Sequence, residues 1–548
     1  MKCKTVTIAI CLLLVSGINA QTLSEGIKLF KYERPAAATG ILRAELSKNP
    51  ADIEALYWLA RVQLASDAVV RQNEIPVIPD NLRDQPWAKV TQGIILLTSG
   101  DTLQAGTLFA QAVGTARKKN PAIQLAIAEA MIDAPKGNIL YALNLLNEAE
   151  KRDRKNPAIF LARGDAYRKL YNGSEAFRNY QQALDLDKAN PEPYYKIGKI
   201  YQTQNNTEIF MQYFDNAIKA DPAYGPVYYQ LYYYYFSRDV NKAMDNLQKY
   251  IAFSDPGIKN SYMLTDQYFV MQKYTEAINE AKKVIAAESA NTKPRIYKLL
   301  AYSYDALKDS RNASENLQLF FEKGADTTYT SDDFQLMAKL SETNKEDSMA
   351  SIWYEKALTL QNDPKKKIDI IKKIIAFDKK HKQYEKQTYW YDQLHNLSAD
   401  MNNVDIFNWG IANYNAHNYV AADSVFGIYA TKYPNQSFGY YWRARSNAAM
   451  DTAMETGVAI PHYEELIRVA SKDTTNANNR KWLIQAYGYI AAFKVNKEKM
   501  YTDALAYYDK ILELDPGNND AEKYKTILEK MIESKTDSKS TPDHAPNN

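Results

Sequence analysis

Between Pro157 and Pro256 the sequence repeats every 34 residues, and a chain with that period has few ways to fold. Phe160, Tyr194 and Tyr228 stand 34 apart, as do Gly164 and Gly198, and again Tyr167, Tyr201 and Tyr235. At the same interval Tyr180 matches Phe214, Ala183 matches Ala217, Asp187 matches Asp221 and Asp255, and Pro222 matches Pro256. A unit this short cannot bury an apolar face by itself. It must stack on copies of itself, so the core is laid down in layers along the chain.

Within one unit the spacing predicts two antiparallel helices. Phe160, Gly164 and Tyr167 share a helical face on which a large residue flanks a small one, so a second helix can approach closely over the glycine. Ala176, Tyr180 and Ala183 form the stripe of that second helix. Tyr171-Asn172-Gly173-Ser174 between them is turn chemistry, and Asp221-Pro222 and Asp255-Pro256 stop one helix and open the next unit. The same interval from small residue to alanine returns in Gly93 to Ala105, Ala301 to Ala313, Ala338 to Ala350 and Gly410 to Ala422, and a last unit carries Ala504, Tyr508 and Ile511 before Asp515-Pro516-Gly517.

This pattern resembles the tetratricopeptide repeat family, most clearly over residues 157–256, 405–434 and 500–517. Phe210 and Arg163 stand where that family prefers alanine and leucine. The resemblance implies an all-α fold, a right-handed α-solenoid of stacked antiparallel helix pairs, with a concave groove lined by the first helix of each pair. About twelve such repeats would fill residues 21–533. The period breaks near 66–86, where Pro76, Pro79 and Pro86 forbid one clean helix, and near 365–403, where nine lysines lie between Lys365 and Lys386. Ala521 to Ile532 reads as a terminal cap, and 534–548 as a polar, disordered tail without an apolar face.

Residues 1–20 read as a signal peptide: Lys2 and Lys4, an apolar stretch from Ile8 to Val15, and Ala20 before Gln21. The apolar stretch is too short to span a bilayer, and no later segment is long and apolar enough, so no transmembrane helix is expected in the mature chain. Both cysteines, Cys3 and Cys11, lie in this leader, which leaves the mature chain without disulfides or thiolate chemistry. Cys11 follows Ile8-Ala9-Ile10, whereas a lipobox wants a small residue directly before the cysteine. Export to the periplasm or the outer-membrane periphery is the expectation. Asp101-Thr102-Leu103, Asp347-Ser348-Met349, Asp423-Ser424-Val425 and Asp451-Thr452-Ala453 resemble the O-glycosylation motif of Bacteroidetes envelope proteins, which points to a source of that kind.

No catalytic, metal-binding or cofactor-binding pattern emerges. The five histidines include no pair at zinc-helix spacing, and no dinucleotide, Walker or nucleophile-elbow glycine pattern occurs. Without Lys2 and Lys4 the chain carries 66 basic against 65 acidic residues, which gives no footprint for nucleic acid. Function is therefore expected in the groove of a non-enzymatic scaffold. The residue after each repeat's first bulky position and the one four later share a face. That rule yields Leu161/Asp165, Tyr195/Lys199, Tyr229/Tyr233, Lys298/Tyr302 and Gln335/Lys339. Of these, Tyr195, Lys199, Tyr229, Tyr233, Lys298, Tyr302 and Lys339 are the candidate contacts. A tyrosine and lysine lining suits a protein or peptide segment that is acidic or aromatic. A glycan stacked on the rings at the outer membrane is the alternative, and an enzyme acting on polysaccharide a more distant one; peripheral membrane association is compatible with either scaffold reading. The same residues also satisfy an ordinary solvated helix face. The run Tyr228, Tyr229, Tyr232, Tyr233, Tyr234 and Tyr235 covers nearly every side of its helix, so some rings should lie outside the core.

Overall fold

The computed structural model describes residues 23–65, 76–116, 120–398 and 400–537, without the side chains of 535–537. The leader read over 1–20 and residues 538–548 of the tail lie outside these. The described residues form 28 α-helices and no strand. The expected all-α stack of antiparallel helix pairs is what the chain forms.

Each pair is built as the spacing dictates. Pro157–Lys169 packs on Gly173–Leu186, and Pro191–Thr203 on Thr207–Ala220. Asn156, Asn190 and Asn120 cap helices whose next residue is proline, which suits the first helical position because its missing N–H would have no partner there. Between the two helices of a pair, Tyr171 and Asn205 take the left-handed conformation (φ 57° and 56°), and Asn172 and Asn206 cap the second helix. The small residue of the first helix is a socket for an aromatic ring. A Cβ on Gly164 would sit 2.3 Å from the Tyr180 ring, on Gly198 2.6 Å from Phe214, on Gly93 2.4 Å from Phe109, and on Gly410 2.5 Å from Phe426. Every one of these rings is fully buried or nearly so. The two departures from the family pattern are accommodated locally. Phe210 is buried edge-on against Phe214 (5.5 Å) and Tyr234 (5.2 Å), and Arg163 lies over the Phe160 ring (5.3 Å) while pairing with Glu150.

The chain divides into two compact units, Met1–Leu307 and Lys308–Asn548. In the first, Leu23–Lys31 (α1) and Pro35–Lys48 (α2) form a hairpin that packs on Ile53–Ala65 (α3). Among the described residues of the proline-rich stretch after α3 there is a 3₁₀ turn, Asp80–Leu82, and Pro86 then opens the helix Pro86–Ser99. In the second unit the lysine-rich stretch is no interruption. It is an ordinary pair, Pro364–Lys380 and Tyr384–Leu397, whose first helix is 17 residues long where Pro157–Lys169 has 13. The extra turn shifts the register and hides the repeat. Ile370, Ile371, Ile374 and Ile375 fill the core, and the lysines face outward. The last helix, Asn519–Asp537, runs on into the stretch expected to be a tail.

Candidate docking surface

Polar residues about one repeat apart tie neighbouring first helices of the first unit together. Lys196 Nζ lies 2.8 and 2.9 Å from the Asp165 carboxylate and 3.2 Å from Glu192, and Tyr180 Oη donates to Asp165 (2.6 Å). Burial works against the charge on Lys196, but Asp165 and Glu192 together hold its pKa well above the usual lysine range. Lys199 Nζ donates to Gln230 (2.8 Å), and Arg295 grips Asp266 with two bonds of 2.5 and 2.8 Å.

All of the candidate contacts except Lys339 lie on these helices. Tyr195 is half-buried, stacked on Phe214 (5.9 Å) and edge-on to Tyr224 (5.6 Å). Burial, with the nearby Glu33 carboxylate, pushes its hydroxyl up to about 12. Lys199 is depressed by burial and by the like charge of Arg168. Tyr229 meets Tyr233 (4.8 Å) and Tyr250 (5.1 Å), and Lys259 Nζ sits 4.4 Å above its ring. Lys298 lies over Tyr302 (5.8 Å). Lys339 is exposed on Ser331–Thr343, in the second unit. Of the partners named with them, Leu161 is buried in the core and Asp165 is taken up by Lys196 and Tyr180. In the tyrosine run, Tyr228 and Tyr232 are core residues and Tyr229, Tyr234 and Tyr235 are half-buried; Tyr233, 51% exposed, is the ring presented to solvent.

Part of this face is already in use, which the repeat spacing did not foretell. The corner between α1 and α2, Lys31 to Arg34, reaches residues about 100 to 220 positions away. Lys31 Nζ is 3.3 Å from Glu129, which also pairs with Arg61. Burial alone would raise Glu129, yet Lys31 and Arg61 hold it at about 2. Tyr32 Oη donates to Asp221 (2.7 Å), its ring is edge-on to Tyr224 (4.9 Å), and Lys28 also pairs with Asp221 (3.2 Å). Asp255 accepts from the backbone N–H groups of Ala36 (2.6 Å) and Ala37 (3.3 Å), with Arg34 Nε 3.7 Å away. Asp255 thus caps α2 from 219 residues downstream. At the tip, Glu33 takes φ 57° and faces Lys259, Lys196 and Lys199, but desolvation outweighs them and raises its carboxyl. One local cue was available: α2 begins Arg34-Pro35, with no side chain of its own able to cap it.

In the second unit, Lys373 donates to Gln335 (2.7 Å), Lys372 pairs with Asp405 (2.9 Å), and Arg445 lies against the rings of Tyr414, Tyr441 and Trp442 at 5.2 to 5.9 Å. Among the described residues no group of three or more His, Cys, Asp or Glu side chains is placed to hold a metal ion, and no helix is long and apolar enough to cross a membrane.

Two family models match the chain, one described as TPR repeat over residues 174–205 and one as tetratricopeptide repeat over 191–224. Both fall inside the window of strict 34-residue spacing. No curated protein matches. Among solved structures, the C-terminal part of a TPR repeat-containing protein from Cytophaga hutchinsonii is 29% identical, with 47% of this chain and 97% of that one covered at a TM-score of 0.31. A tetratricopeptide repeat protein from Parabacteroides merdae is 16% identical, covering 46% and 97%, at a TM-score of 0.30. A TPR protein from Thermus thermophilus is 20% identical, covering 41% and 96%, at a TM-score of 0.26.

Proposed function

Starting from a chain that carries tetratricopeptide repeats, we propose that it is a non-enzymatic scaffold that holds protein partners along the first helices of its pairs. The observation that carries this reading is how those helices use their tyrosines and lysines. Tyr195 and Tyr229 are half-buried, Tyr233 stands out beside Tyr229, and Lys259 covers the Tyr229 ring. Such a face offers apolar area, hydroxyl groups and positive charge together, which fits a segment carrying aromatic and acidic residues. Each contact is modest, and affinity accumulates over stacked repeats. The leader read at 1–20 supports a scaffold exported to the cell envelope of a bacterium, in the periplasm or at the outer-membrane periphery.

A pull-down from envelope extract with the full chain tests this. The variant Tyr229→Ala/Tyr233→Ala should recover clearly less of any partner than the wild type. Equal recovery by both would refute the assignment of the face, and no saturable partner for either would refute the scaffold.

A further inference from the structure

We propose that the α1–α2 corner is a built-in occupant of the first-helix face of the first unit, and that a partner segment able to take its place carries a tyrosine followed by a carboxylate. The proposal rests on the scaffold reading above and names the partner's chemistry.

Three observations carry it. First, the face has a tyrosine and lysine lining, and what lies on it is Tyr32-Glu33, an aromatic residue followed by an acidic one. Second, the groups that hold the corner are spare valences of the repeat. Asp187, Asp221 and Asp255 occupy equivalent positions 34 residues apart. Asp187 and Asp221 each accept one N–H of their own turn, from Ala189 (3.1 Å) and Ala223 (2.8 Å). The second oxygen of Asp221 takes Tyr32, and Asp255 gives both oxygens to the start of α2. The corner is therefore bound by carboxylates as a separate peptide would be, through the Tyr32 hydroxyl, two backbone N–H groups and the cations of Lys28, Lys31 and Arg34. Third, the occupancy is incomplete. Neither Lys199 nor Lys259 pairs with a carboxylate among the described residues: Lys199 donates to Gln230, and Lys259 donates to the Tyr250 hydroxyl (3.2 Å). Glu33 lies near both without forming an ion pair, and desolvation raises its carboxyl. A segment that brings its carboxylate into contact with either lysine gains an interaction that the resident corner lacks.

The test uses the full chain with Cys3→Ser and Cys11→Ser, plus Ala36→Cys and Asp255→Cys, so that oxidation locks the corner down and reduction frees it. The probe is a fluorescein-labelled peptide with the sequence of residues 28–37, read by anisotropy. The reduced protein should bind it roughly tenfold or more tighter than the oxidised one, because the tethered corner competes at high effective concentration. The gain should disappear for a peptide carrying Tyr32→Ala and Glu33→Lys. Failure of the disulfide to form, or equal affinity in the two states, would overturn the proposal. A second arm leaves Asp255 intact: the chain with Tyr32→Ala/Arg34→Ala should also bind the wild-type peptide roughly tenfold tighter than the unmodified chain, and equal affinity there overturns the proposal as well. Peptide exchange with no partner in the pull-down would refute the scaffold reading alone; a partner recovered without peptide exchange would refute the occupant alone.

Discussion

Asp378 offers a sharp test of the packing in the second unit. It lies near the end of the helix Pro364–Lys380, fully buried beside Ile374, Ile375 and Phe377 in sequence, and neither carboxylate oxygen has a hydrogen-bond partner. Burial pushes its pKa from 3.8 up to about 6; Lys386 and His381 pull it down, and Glu355 adds to the rise. A shift of about two units corresponds to roughly 3 kcal/mol, since each unit is worth about 1.4 kcal/mol. The sign follows from which state holds the proton more tightly. Below about pH 3.8 both states are protonated and Asp378 contributes nothing. As the pH rises from there toward 6 the unfolded chain releases its proton first, stability falls, and above 6 the full penalty is present. Asp378→Asn removes the charge while keeping the shape. Its stability relative to wild type should therefore be about 2.5 kcal/mol more favourable at pH 8 than at pH 4, where part of the penalty is already present. Urea unfolding followed by far-ultraviolet circular dichroism at the two pH values measures this, with hydrogen exchange over residues 364–397 assigning the change to this helix pair. A stability difference that does not vary with pH, or a variant less stable at pH 8 than at pH 4 relative to wild type, would show that the carboxylate is solvated or paired and the reasoning wrong.

Gly164→Val should destabilise the first unit by about 1 to 3 kcal/mol, because even its Cβ meets the buried Tyr180 ring at 2.3 Å; thermal unfolding reads this, and an unchanged midpoint would refute the socket. Glu129→Gln should cost roughly 3 kcal/mol at pH 7, since a carboxylate held at about 2 stabilises the fold above its unfolded pKa. That cost should shrink as the pH is lowered from about 5 toward 2, which urea midpoints across the range would follow. Asp255→Ala removes the carboxylate that accepts from the first N–H groups of α2 and should cost about 1 kcal/mol, seen as faster hydrogen exchange at Ala36 to Thr39 with little change in α3.

The helix pairs were legible because they are local. Gly164 and Tyr180 are 16 residues apart, and Asn156-Pro157 and Asn190-Pro191 announce helix starts through chemistry confined to a few residues. Where the period failed, at 365–403, the cause was one added turn in a helix: the apolar isoleucines kept their spacing while the interval to the next helix changed. The candidate face was legible in part. The rule that selected Tyr195, Lys199, Tyr229 and Tyr233 follows from helical geometry, but it also selected Leu161, which the core takes, and it could not foresee that Lys196 would consume Asp165.

By itself the 34-residue period determined that this chain is a stack of two-helix units, because the period, the socket glycines and the caps all act within one or two units. The division at Leu307–Lys308, the burial of Tyr228 and Tyr232 and the seating of Lys31 to Arg34 against Glu129, Asp221 and Asp255 were decided only in three dimensions. A repeat fixes how neighbours pack. Which distant repeats come to touch depends on small rotations accumulated from unit to unit, and those leave no mark on any single stretch of sequence.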